Sequence, residues 1–361
     1  MKHSGVFSAR WCCLPLALFA FSLMSNAQNV ARKHISDKHQ HYYDSLKNMK
    51  YDRLLPIWGD KVYKKGFDIP FPFGIMINNF WGVQKMDISN IHIGIRDADT
   101  TMGPVDLSKV IQFSDVEARV YNINLRADAY IFPFLNVYLM ANYLPKATTE
   151  VNLSKPVTLS TTAEQDGWAY GFGIMGAGGV GPFWLQADYN ATWADMQLLD
   201  NKVFTQIIGI RLGHVIPNKK YPEKNVSVWI GMMGMFLNNE TIGEVALNDL
   251  FPGLPQSKID EIKQSYTDWY NDLTPPQQKV ADKVVQRLQD RINGINTDDT
   301  YIMYTLDKKP KSRWAGVVGA QYQFSKRWQL RAESNCIGGD RYSLLLSLNY
   351  RFLGFKKKSG S

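Results

Sequence analysis

The 361-residue chain is 20% charged and 45% hydrophobic, with a formal net charge of +8 and three cysteines. Beyond the N-terminus no apolar run approaches the ~20 residues a spanning helix needs, which excludes a helical membrane protein. The 13% of aromatic residues and the 27 glycines exclude a solvated coil, and Cys336, the one cysteine beyond the first turns of chain, cannot staple a disulfide scaffold.

The chain begins with a basic stretch (Lys2, His3, Arg10), an apolar stretch from Trp11 to Met24, and small residues at Ser25 and Ala27 before Gln28. This reads as a cleaved secretory leader over 1–27, with Pro15 and the small-residue exit favouring cleavage over an uncleaved anchor. Cys12 and Cys13 fall inside it, and no cysteine follows in a lipidation position. Removing Lys2 and Arg10 takes the +8 chain to about +6, spread without the basic stripe of a nucleic-acid binder, so no nucleic-acid partner is expected. Residues 28–66 are polar and helix-tolerant, with Tyr42, Leu46, Met49 and Tyr51 recurring loosely at helical spacing; they are expected to form a periplasmic N-terminal segment.

From Phe71 the period of the pattern falls to two. Over 121–131, Tyr121, Ile123, Leu125, Ala127, Ala129 and Ile131 share one face, and Asn122, Asn124, Arg126, Asp128 and Tyr130 the other. The segments 203–214, 327–336 and 341–352 behave alike, and aromatic residues mark the ends of the apolar faces: Tyr342 with Tyr350 and Phe352, Trp314 with Tyr322 and Phe324, Phe183 with Tyr189 and Trp193. An aliphatic band between aromatic girdles is the signature of lipid-facing strands, and a polar opposite face carrying both charge signs is that of a lumen. Strands at about 72–96, 112–131, 133–152, 163–180, 182–197, 202–217, 224–241, 312–325, 327–338 and 341–353 give ten. Short turns then fall on one side, longer loops on the other, and both termini on the short-turn side, as a closed barrel with a periplasmic start requires. The interruption Gln84-Lys85-Met86-Asp87 leaves open that 72–96 is two strands, raising the count to eleven or twelve. The expected fold is therefore all-β: a closed antiparallel transmembrane barrel of about ten strands (alternatively twelve) over 67–353, followed by a basic tail over 354–361.

Residues 242–311 do not alternate and are expected to be an extracellular helical insert. Leu250–Gln256 is a Pro/Gly breaker; a first helix is predicted from Ser257 to about Leu273, and a second, capped by Thr274 and opened by Pro275-Pro276, to about Ile292. The stripe Val280, Val284, Val285, Leu288, Ile292 is expected to pack on Ile259, Ile262, Tyr266 and Trp269 as a helical hairpin. The run Lys308-Lys309-Pro310-Lys311 reads as a solvated loop, with phosphate-rich lipopolysaccharide as the alternative ligand.

Pro72-Phe73-Gly74, and Arg126-Ala127-Asp128 leading into Pro133-Phe134-Leu135-Asn136-Val137-Tyr138, together with the terminal aromatic strand ending Tyr350-Arg351-Phe352, resemble Gram-negative outer-membrane β-barrels, similar to those of the Bacteroidota and to a group of barrels of unassigned function. The resemblance spans the mature chain and implies an outer-membrane location, contact with outer-membrane lipid and lipopolysaccharide, and passage through the barrel-assembly machinery. It implies no catalytic residues.

Enzymatic chemistry would need a nucleophile or an activated water held by His and a carboxylate. His92, predicted inward with Asp97 and Asp99 nearby in sequence, is the one candidate. His214 is expected at the lipid interface, and His34, His39 and His41 form a fortuitous cluster rather than a metal site; no cofactor is expected. The charges predicted to point into the lumen are Arg126, Asp128, Asp188, Arg211, Arg313, Arg327, Arg331, Glu333 and Arg351. Unpaired, such charges are costly in a narrow tube, so they are expected to pair or to face water. The inward glycines of 167–179 either leave room or accept large neighbours such as Trp184 and Trp229. The leading expectation is a non-enzymatic barrel with a structural or surface-interaction role. A narrow pore for small solutes or ions is the alternative, and a barrel-embedded lipid hydrolase the third.

Overall fold

The computed structural model describes residues 36–155, 159–238, 240–250, 269–292 and 298–357. The leader expected over 1–27, His34, most of the first insert helix and the end of the basic tail lie outside these residues. The described strands are β1 (Phe73–Arg96), β2 (Thr101–Asp106), β3 (Gln112–Phe132), β4 (Leu135–Lys155), β5 (Leu159–Val180), β6 (Phe183–Met196), β7 (Val203–Pro217), β8 (Asn225–Leu237), β9 (Glu240–Ala246), β10 (Tyr301–Pro310), β11 (Trp314–Gln323), β12 (Trp328–Ile337) and β13 (Arg341–Phe352). The helices are α1 (Asp37–Asn48), α2 (Gly59–Lys64), the short α3 (Leu247–Leu250) and α4 (Pro275–Ile292).

Ten strands form the wall in the order β1-β3-β4-β5-β6-β7-β8-β11-β12-β13, and β13 returns to β1. That closing pair runs antiparallel from Phe73 opposite Phe352 to Gln84 opposite Arg341. Ile77, Leu125, Leu139, Ile210, Ile230 and Leu348 are exposed on the outside, while Asn78, Asn124, Asn136, Arg211, Glu333 and Asn349 are buried on the inside. Aromatic pairs ring the exterior at two levels. Towards the long loops lie Trp81 on Tyr121 (centroids 5.3 Å apart), Tyr143 on Trp168 (4.5 Å) and Tyr170 beside Trp193 (6.0 Å). Towards the short turns lie Phe73 on Phe352 (5.7 Å) and Trp328 beside Tyr350 (4.8 Å). At ~3.3 Å per residue and a tilt of ~40°, Tyr342 to Phe352 covers about 25 Å of height, the thickness of an apolar membrane band. Above the long-loop girdle the outward side chains turn charged, with Arg119 paired to Glu117 and Lys146 to Glu164.

β1 is one continuous strand, and its interruption marks a change of neighbours. Up to Gln84 and Lys85 it pairs with β13 and β3; from Met86 it pairs with β10, and from His92 also with β2. A register shift between Ser89 and His92, with Asn90 at φ 52°, accompanies the departure from the wall.

This corrects the reading of the insert. Its two ends, β9 and β10, are strands, and together with the upper part of β1 they build a sheet in the order β2-β1-β10-β9. Tyr301–Leu306 hides its alternation because its side chains on both faces are partly covered. α4 does start at Thr274: the Thr274 carbonyl accepts the first helical bond, from the Gln278 N–H at 2.9 Å, and the Gln277 side-chain oxygen reaches back to accept from both the Thr274 N–H (2.7 Å) and the Thr274 hydroxyl (2.8 Å). The helix then packs on the sheet. Val284 lies against a core of Ile95, Val245, Leu247 and Ile302, and Ala281 joins Leu107 and Leu273. The remainder of the expected partner helix lies outside the described residues.

At the short-turn end the N-terminal segment folds around Leu46, Tyr51, Tyr63 and Ile69. It is tied to the end of the chain: the Leu54 N–H donates to the Phe355 carbonyl at 3.1 Å, and the Lys357 N–H to that of Asp52 at 2.8 Å. Lys326, in the β11–β12 turn, pairs with Asp68 at 3.0 Å.

Candidate functional site: the barrel interior

Alternation turns every second side chain of ten strands into one tube, so polar residues distant in sequence meet there. Seven of the nine expected luminal charges gather into a continuous relay. Arg351 of β13 donates to Phe71 O at 2.9 Å and to Asp128 of β3, also at 2.9 Å. Asn136 of β4 donates to Asp128 at 2.7 Å and accepts from Arg126 at 3.0 Å. The Arg126 guanidinium lies 3.6 Å from the centre of the Tyr138 ring, and the Tyr138 hydroxyl donates to Asn190 of β6 at 2.7 Å. Asn190 in turn donates to Asp188, which pairs with Arg211 of β7. Arg211 grips Glu333 of β12 through two bonds of 2.7 Å, and Glu333 also accepts from Arg331 (2.6 Å) and from the Trp229 indole (2.7 Å). The relay runs from β13 around the interior to β12, its neighbour in the wall.

Charge pairing of this kind is what a buried position requires. A guanidinium removed from water must recover its hydration from fixed acceptors, and the fork-to-fork bond between Arg211 and Glu333 does so with two parallel donors. Arg211 and Glu333 are both below a tenth exposed.

Arg313 and Arg327 do not join the relay, and their inward assignment is corrected. Alternation loses its meaning at strand ends. Both side chains are exposed at the rims, Arg313 over the Phe236 ring at 5.7 Å and Arg327 bonded to the Tyr350 hydroxyl at 3.1 Å.

The room left by inward glycines is occupied by rings. Tyr138 covers Gly173, Trp184 covers Gly213 and Trp229 covers Gly319, so closely that a Cβ at Gly213 would lie 2.2 Å from the Trp184 ring. The two indoles sit 5.8 Å apart, and that of Trp184 donates to Ser227 at 2.8 Å. Asn78, Asn124 and Asn142 add a buried amide ladder. The large inward aromatics were visible in the sequence; their seating on the glycines needed the register.

No hydrogen bond or ion pair joins His92 to Asp97 or Asp99, the carboxylates expected near it, among the described residues; across the strand it stands opposite Asp106 instead. Past Lys85, β1 has left the wall, so His92 sits in the accessory sheet with its ring 3.2 Å from the Asn90 carbonyl. Asp97 instead binds Arg287 and Lys283 of α4. His214 packs edge-on to Phe183 at 4.9 Å on the outside of the wall. His39 is buried and bonded to Ser36, whereas His41 is exposed.

No family model and no curated protein matches the chain. Among solved structures, the outer-membrane protein OprG from Pseudomonas aeruginosa is similar at 9% identity and a TM-score of 0.34, over 79% of this chain and 100% of that one. The β domain of the Bordetella autotransporter BrkA gives 9% and 0.35 over 78% and 100%. The Ralstonia pickettii toluene transporter TbuX gives 8% and 0.27 over 78% and 90%. These likenesses are too distant to add to what the strand pairing already establishes. A wall with no free edge, an apolar outside between two aromatic girdles and a polar inside is stable only across hydrocarbon, and it makes this chain a transmembrane barrel of the outer-membrane type.

Proposed function

We propose that the protein is a non-enzymatic surface barrel that does not conduct, a rigid pedestal carrying the accessory sheet and α4 outside the cell. The observation that carries this reading is the relay from Arg351 to Glu333 around the interior, with the rings of Tyr138, Trp184 and Trp229 taking up the room over the inward glycines. A barrel of about ten strands is only slightly wider than the eight-stranded kind whose side chains fill it. The short-turn end, with both chain ends, faces the periplasm in this reading, and the long-loop end faces outward. Outer-membrane lipid contacts the wall, lipopolysaccharide surrounds the long-loop end, and the barrel-assembly machinery handles insertion.

Planar-bilayer recording of purified full-length protein tests the reading. A quiet membrane is expected, and stepwise current from Trp184→Ala/Trp229→Ala with none from wild type would support the plug directly. Stepwise current from wild type would overturn it. One observation favours a second reading, a narrow anion path: the relay holds four arginines (Arg126, Arg211, Arg331, Arg351) against three carboxylates (Asp128, Asp188, Glu333). Reversal potentials favouring anions would then be expected.

A further inference from the structure

The run Lys308-Lys309-Pro310-Lys311 is not a solvated loop. It ends β10 and leads into the link to β11, and Pro310 is buried. Lys308 stands opposite Ile88 of β1, yet its ammonium reaches Thr149 of β4, whose hydroxyl is 3.1 Å away. Register fixes where that is. Arg341 of β13 lies opposite Gln84 of β1, Gln84 opposite Ala118 of β3, and Ala118 opposite Thr149. These four positions form one tier of the wall at the long-loop mouth, and Lys308 reaches this tier from the accessory sheet.

Arg341 stands at the β13 end of that tier, and Thr149 at its β4 end. It is 3% exposed; its Nε donates to Gln84 and one terminal nitrogen lies 3.4 Å from the Ser312 carbonyl. The other terminal nitrogen is buried and has no hydrogen-bond partner. Among the described residues no carboxylate pairs with either cation. That separates the tier from the relay deeper in the barrel, where the arginines meet acids. Burial alone pulls the Lys308 ammonium down to about 8.

We propose that this mouth tier is a binding site for a phosphate-class oxyanion, free or carried on a lipid headgroup, held between the Lys308 ammonium and the Arg341 guanidinium. A buried guanidinium with one unpartnered nitrogen and a part-buried ammonium, neither with a counter-charge, are costly. An oxyanion offsets both, and a planar fork beside a point charge is the donor set that suits phosphate. Thr149 and Gln84 add neutral polar groups to the tier. Lys311 and Arg313, exposed beside it, would draw anions in without holding them.

The test uses full-length protein refolded in detergent, with the heat-dependent gel shift of folded barrels as the folding control. Titration calorimetry with inorganic phosphate should give saturable binding, weakened about tenfold or more by Lys308→Met and by Arg341→Gln, each of which removes a charged hydrogen bond. Lys311→Gln should change it much less. Native mass spectrometry from phosphatidylglycerol and from phosphatidylcholine nanodiscs identifies the source. Anionic lipid retained by wild type and lost in Lys308→Met assigns a headgroup, and phosphate binding without lipid retention assigns the free anion. The site is refuted if neither probe binds wild type, or if binding survives both substitutions. Should Arg341→Gln fail the folding control, Lys308→Met decides. Conductance plays no part in these readouts, so the site stands or falls separately from the plug.

Discussion

The two halves of β1 obey opposite rules. In the wall, Ile75, Ile77 and Trp81 are exposed and Asn78 and Gln84 are buried. In the accessory sheet, Ile91 and Ile95 are 3% and 0% exposed, while Asp87 and Ser89 lie open. The strand, its rise and its alternation are the same; the solvent differs. Hydrocarbon accepts the lower apolar face without a protein partner, so the polar face is turned inward and must satisfy itself. Water rejects the upper apolar face, and α4 covers it. The change occurs at Gln84-Lys85-Met86-Asp87, where β1 exchanges β13 and β3 for β10.

Breaking the polar half should cost most. Arg211→Met leaves Glu333 with one arginine and takes from Asp188 its Arg211 pairing, and about 3–5 kcal/mol of unfolding free energy should be lost in urea titrations of the folded barrel in lipid vesicles. A smaller loss would mean the interior is wetter than its burial implies. Ile95→Ala and Ile77→Ala set the two halves against each other with the same chemical change. The first empties a fully buried position of the accessory core and should cost that layer about 2–5 kcal/mol, read by hydrogen exchange in β2, β9 and β10. The second faces lipid and should cost less than about 1 kcal/mol. Equal costs would abolish the distinction.

The water-exposed N-terminal segment adds a pH test. Burial pushes the Tyr63 hydroxyl up to about 12, with the Asp68 charge adding to it. Burial, then Asp68, also raises Tyr42, which donates to Asp68 at 2.6 Å and has Glu223 and Tyr63 nearby and Lys326 over its ring. Below pH ~10 the tyrosines are neutral in folded and unfolded chain alike; above it only the unfolded segment gives up its protons freely. The stability they supply is therefore lost as pH rises from ~10 towards 12. Limited proteolysis should release the segment in that window while the barrel keeps its gel shift. Release near pH 8 would contradict it. Thr274→Ala removes only the hydroxyl's bond to the Gln277 side chain and should have the smallest effect, about 0.5–1 kcal/mol, confined to exchange in α4.

Most of the wall was legible because lipid makes one face uniformly apolar over long stretches, a stronger signal than a half-buried soluble strand gives. Turn parity then agreed with a count of ten without any contact being known, while the interruption Gln84-Lys85-Met86-Asp87 kept twelve open. β10 was missed because Tyr301–Leu306 is covered in part on both faces, which blurs a period of two into an apolar run, and β9, which pairs with β10, was missed with it. The site was half legible. Alternation found Arg126, Asp128, Asp188, Arg211, Arg331, Glu333 and Arg351, and failed for Arg313 and Arg327 at the strand ends. Who meets whom could not be read, since Arg211 and Glu333 sit on strands separated in the wall by β8 and β11. The basic run at Lys308 stood out with phosphate-rich lipopolysaccharide as an alternative ligand, but the reach of Lys308 to Thr149 depends on where β10 leans and was not legible.

The seam between β1 and β13 has a consequence for how the molecule is made. β1 emerges early in synthesis, yet its partner from Phe352 to Arg341 is the last strand of the wall to appear. Until then both margins of the growing sheet stay open, and each is a template for pairing with any passing chain. Each margin therefore stays a pairing hazard for as long as the final strand is missing from the sheet. The same delay holds back the knot between Leu54 and Phe355, so the beginning of the protein is the last part to be fastened.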